Sequence, residues 1–85
     1  MQPNVIGERM MVCLDVSLAS FHAYEMKLNK EKLPEIVGRT LKNKNAAVED
    51  KLLAEGVMIG YRAKIIQEAS ERAFITCSNS NLWRK

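Results

Sequence analysis

The sequence is poor in the side chains that perform chemistry. It has one histidine, His22, and two cysteines, Cys13 and Cys77, among 85 residues. Neither cysteine sits in a CxxC or Cys/His spacing, and two cysteines are too few for a disulfide framework. A zinc site draws four ligands from Cys, His and carboxylates, so no metal site is expected. No Walker-type loop or paired nucleophile and base stands out, so no catalytic residue and no cofactor are expected and the chain is read as a non-enzyme. No apolar run approaches the ~18 residues of a membrane span, and the N-terminus has no basic stretch followed by an apolar segment. With Cys13 beside Val12 and Leu14, and Cys77 close to Ile75, both thiols read as reduced, buried small hydrophobes. These absences together predict a soluble, cytoplasmic protein with no membrane partner.

What is present is ordinary globular material. Apolar residues make up 47% of the chain and charged residues 27%, with a net charge of +3. That apolar share is too high for a disordered chain. A chain this short buries only about 60–65% of its unfolded surface, and pairing with another subunit supplies the missing burial. A homodimer is therefore the default expectation. The charge is uneven: residues 27–44 carry Lys27, Lys30, Lys32, Arg39, Lys42 and Lys44 against Glu31 and Glu35. Such a basic segment can attract phosphate, or can simply solvate an exposed turn and helix face.

The chain divides into a loose lead-in (1–8), one domain (9–77) and a polar tail (78–85). Met10, Val12 and Leu14 alternate with Met11, Cys13 and Asp15, the period of a short strand over Met10–Val16. Ser17 then offers an N-cap to a helix from about Leu18 to Asn29, with Leu18, Phe21, Tyr24 and Leu28 on one face. Pro34 suits a first turn, so a second helix is expected from Leu33–Glu35, burying Leu33, Ile36, Val37, Thr40 and Leu41. A third helix starts near Ala46, and its continuation places Leu52, Gly56, Ile59, Ala63, Ile66 and Ala73 on one face. The competing reading ends that helix at Gly56 and makes residues 57–65 a strand, on the alternation Val57, Ile59, Tyr61, Ala63, Ile65. The expected fold is therefore mainly α with one short N-terminal strand, as a homodimer, or α+β if residues 57–65 form a second strand.

A short strand, a helix, a polar turn at Asn29-Lys30 and a helix opening on Pro34-Glu35-Ile36-Val37 occur in that order. Over Arg9 to about Leu41 the order resembles the ribbon-helix-helix superfamily of DNA-binding proteins. The resemblance implies a dimer that shares a strand ribbon and regulates transcription by binding double-stranded DNA. Arg9, Met11 and Cys13 would then face the groove, with Lys30 and Lys32 near the phosphate backbone.

The alternative is a protein-binding adaptor or inhibitor that lays an amphipathic face into a partner's groove. Leu52, Gly56, Ile59, Ala63 and Ile66 are the residues expected at such an oligomer or partner interface. Trp83 at the tail would either anchor a partner or fold back onto the domain.

Overall fold

A computed structural model describes residues 5–83 of the chain. Four helices follow one another: α1 (Val5–Leu28), α2 (Glu35–Lys42), α3 (Val48–Arg62) and α4 (Ile66–Ser78), with a 3-10 turn at Asn81–Trp83. No strand occurs among the described residues. Both strand expectations are thereby corrected, and the fold is all-helical rather than α with a ribbon or α+β.

Residues Met10–Val16 lie inside α1, which runs unbroken for 24 residues. Methionine, leucine, glutamate and arginine around them are good helix formers. A strand there would also have no second strand to pair with, and unpaired backbone groups are costly. Ser17, expected as a cap, is mid-helix, and its hydroxyl donates to the Ser70 carbonyl of α4 at 3.0 Å. α1 ends where it was expected to end. Lys30 adopts a left-handed φ of 60°, while the N–H groups of Lys30 and Glu31 bond back to Lys27 and Met26 at 3.0 and 2.8 Å. This is a Schellman cap, built here on a lysine.

α2 starts directly after Pro34 as expected, but its 8 residues bury only Val37. Ile36 is exposed. Tyr61 of α3 donates its hydroxyl to the Glu31 carbonyl at 2.6 Å, tying the α1–α2 loop down.

The alternation over 57–65 is overridden by packing. Gly56 and Gly60 are buried within α3 and face α1. A Cβ on Gly56 would stand 3.0 Å from the Val16 carbonyl oxygen and run into the Val16 side chain, and one on Gly60 would overlap the Ser20 backbone. The glycines are contact points between two helices, and neither acts as a helix stop. Nor does a single helix run on to Ala73. α3 ends at Arg62, with Ala63 as its C-cap in extended conformation. The Glu68 carboxylate accepts the Lys64 N–H at 3.3 Å, reaching back over the start of α4 much as a capping box does.

α4 runs antiparallel to α1. Cys13 bonds to Cys77, Ser17 to Ser70, Ser20 to the Ala69 carbonyl at 2.7 Å, and Tyr24 to the Lys64 carbonyl at 3.4 Å. The disulfide corrects the expectation of two reduced thiols. Both sulfurs are buried as expected, but they meet each other because α1 and α4 cross there. The bond closes a loop over a separation of 64 residues, which by chain entropy is worth about 4 kcal/mol.

The core is made of small residues. Cys13, Val16, Ser20, Ala23, Ala54, Ala63, Ala69, Ala73 and Cys77 are buried, and Leu52 is the largest side chain wholly inside. Small side chains let the helices approach closely, and the molecule is a slab with principal extents of 47 × 27 × 15 Å. No helix among the described residues is long and apolar enough to cross a membrane.

Candidate interaction surface

With mostly small residues inside, many of the large apolar ones lie outside. Met10, Met11, Leu14, Leu18, Leu28, Ile36, Ile65, Ile66 and Ile75 are all exposed. Scattered exposed leucines are common on any protein, and a contiguous patch is the informative case. The patch here belongs to α1. Met11, Leu14, Leu18, Phe21, Glu25 and Leu28 follow one another at spacings of three, four, three, four and three residues, the a/d stripe of a heptad helix. Met11 is 69% exposed, Leu14 52%, Leu18 58% and Leu28 64%. On the opposite face of the same helix, Cys13, Val16, Ser20 and Ala23 form the buried seam against α3 and α4.

α4 widens the exposed stripe. Leu14 and Ser17 of α1 and Ser70, Glu71, Phe74 and Ile75 of α4 line an open groove of ≈ 430 Å³. Phe74 forms its inner wall, because one side of the ring packs on the core around the disulfide. Ile75 stands outward at 57% exposure. The only charge among the six α1 residues of the stripe is Glu25, whose carboxylate lies 3.3 Å from His22 Nδ1. Asp15 and His22 run along the edge of the stripe away from α4.

The residues expected at a DNA interface are not gathered together. Cys13 is locked in the disulfide and fully buried. Met11 is on the opposite, exposed face of α1. The Arg9 guanidinium lies 5.2 Å from the centre of the Trp83 ring. Lys30 and Lys32 are in the loop at the far end of α1, about 30 Å from Arg9 at 1.5 Å per helical residue. The ribbon on which that arrangement depended is helix.

The residues expected at an oligomer or partner interface mostly serve the chain's own interior. Leu52, Gly56 and Ala63 are buried, Ile59 packs against the core, and only Ile66 is open to solvent. Trp83 folds back: its indole N–H donates to the Cys77 carbonyl at 2.7 Å.

The stripe was missed because the segment Met10-Met11-Val12-Cys13-Leu14 is apolar on both faces of α1. Such a run satisfies a period of two as well as it satisfies a heptad. The signal that could have found it was the spacing continued through Leu18, Phe21 and Leu28.

Among the described residues, no group of three or more His, Cys, Asp or Glu side chains could hold a metal ion. Compared with protein-family models, with curated proteins and with solved structures, the chain matches none.

Proposed function

We propose that this chain is a small non-enzymatic interaction protein that works by docking another protein onto the α1 stripe and the adjoining α4 groove. One observation carries the reading: Met11, Leu14, Leu18 and Leu28 of a 24-residue helix face outward in heptad register, while the buried face of the same helix is lined by Cys13, Val16, Ser20 and Ala23.

The energetics select the kind of partner. Covering the exposed halves of Met11, Leu14, Leu18, Leu28 and Ile75 returns about 1 kcal/mol each. Association itself costs somewhere between about 4 and 15 kcal/mol. The partner must therefore bring a comparable apolar helix face, since polar chain laid on this surface would not hold. The buried Cys13–Cys77 bond suits an oxidising setting better than the reducing cytoplasm.

A photoreactive side chain placed at Leu18 tests the reading, with one at exposed Lys44 as the control. Covalent adducts to protein are expected from position 18 and not from position 44. No adduct from position 18, together with salt-sensitive binding to duplex DNA that Lys32→Glu weakens on every sequence alike, would move the function to nucleic acid.

A further inference from the structure

Resting on the interaction reading, we infer that the partner is a second copy of this chain, with α1 lying antiparallel on α1. Three observations point there. The stripe from Met11 to Leu28 covers 18 residues, about 27 Å of helix, and five of its six a/d positions are apolar. A surface of that pattern is complementary to itself, because two such stripes interlock knob into hole. Asp15 and His22 lie along one edge of the stripe, so two copies can set a carboxylate of one against an imidazole of the other.

Glu25 sets the direction. In a parallel pair the two Glu25 carboxylates would share one layer of the seam, like charge against like charge with water excluded. In an antiparallel pair Met11 meets Leu28 of the other copy, Leu14 meets Glu25, and Leu18 meets Phe21. The two Glu25 side chains are thereby kept in separate layers, one turn in from each end of the seam, and no longer face each other. The same register sets Asp15 of each copy beside His22 of the other on the open edge, an acceptor against an imidazole. Parallel pairing would instead place Asp15 against the Met10 and Ser17 side of the neighbouring helix. Ile75 of α4 stands at the border of the stripe, close enough to extend the contact beyond α1.

Light scattering on a size-exclusion column, over a roughly 100-fold range of protein concentration, reads the association directly, since a dimer is governed by mass action. A mass rising to twice 9.6 kDa is expected, with Leu18→Glu and Ile75→Lys each holding the chain at the monomer mass while circular dichroism stays helical. Orientation is read by cysteine cross-linking, the native pair being buried and already bonded. A mixture of Met11→Cys and Leu28→Cys chains should cross-link under mild oxidation, and neither variant should do so alone. Cross-linking of Met11→Cys with itself, without the mixed product, would overturn the antiparallel arrangement. A wild-type mass that stays at the monomer throughout would overturn the second copy as partner. A Leu18 photo-adduct of some other mass would then still uphold the interaction reading.

Discussion

The two faces of α1 carry the same kind of apolar pattern with opposite choices of size. Cys13, Val16, Ser20 and Ala23 face α3 and α4, and all are buried. Met11, Leu14, Leu18 and Leu28 face solvent, and each keeps more than half of its surface. Small side chains on the inner face allow backbone to approach backbone, so the fold there depends on shape. Large side chains on the outer face make no contact of comparable weight within the chain. Substitutions on the inner face should therefore damage folding, and those on the outer face should damage association alone.

Removing the inner cross-link gives the largest expected effect. The Cys13→Ala/Cys77→Ala double variant should lose about 4 kcal/mol of unfolding free energy, the chain-entropy value for a loop of this length. Urea denaturation of the oxidised wild type beside the variant measures it, and an unchanged midpoint would mean that the bond adds nothing to the helix packing. Gly60→Ala comes next. Its new methyl would overlap the Ser20 backbone, and overpacking of this kind costs about 1–3 kcal/mol or more. Thermal melting should show a lower Tm, whereas the same change at Gly38, where nothing lies within 4 Å, should raise stability slightly by helix propensity.

Ser20→Ala deletes the buried hydrogen bond to the Ala69 carbonyl, worth about 1 kcal/mol. A loss near 3 kcal/mol would show that the hydroxyl also holds the helix spacing. The smallest effect on the monomer belongs to the outer face. Leu18→Gln should change unfolding free energy by no more than about 0.5 kcal/mol, as exposed substitutions usually do. Its measurement requires dilution at which wild type and variant have the same mass. A large loss under those conditions would erase the distinction between the faces.

The helical segments most legible in the sequence were those with an unambiguous boundary or composition. Pro34 marked the start of α2, and the Ala-Leu-Glu-Lys content after Ala46 marked α3. The polar turn after Asn29 marked the end of α1, although the αL residue there is a lysine. Period was the weaker guide. Over Met10–Val16 and over 57–65 an alternation of two was present, and both stretches became helix or helix end. In the first, apolar residues lie on both sides of α1. In the second, Gly56 and Gly60 serve close packing against Val16 and Ser20. A local pattern cannot show that a glycine faces another helix.

The candidate surface was half legible for the same reason. Leu18, Phe21, Tyr24 and Leu28 share one face by spacing alone, and the stripe through them starts further back, at Met11, inside the segment read as strand. Leu52, Gly56, Ile59, Ala63 and Ile66 share one face by spacing, and that face was expected at an oligomer or partner interface. In the structure Leu52, Gly56 and Ala63 are buried, while Leu18 and Leu28 are exposed.

Composition determined that this is a globular chain with a modest positive charge and few reactive side chains, because those properties do not depend on arrangement. Local signals determined where α2 begins and where α1 ends, because proline and capping chemistry act within a few residues. Tertiary structure decided which apolar face turned inward, because only the crossing of α1 with α3 and α4 makes small residues the better filling. It also decided the bond between Cys13 and Cys77, 64 positions apart in the chain, since that pairing depends on the antiparallel course of α4 along α1.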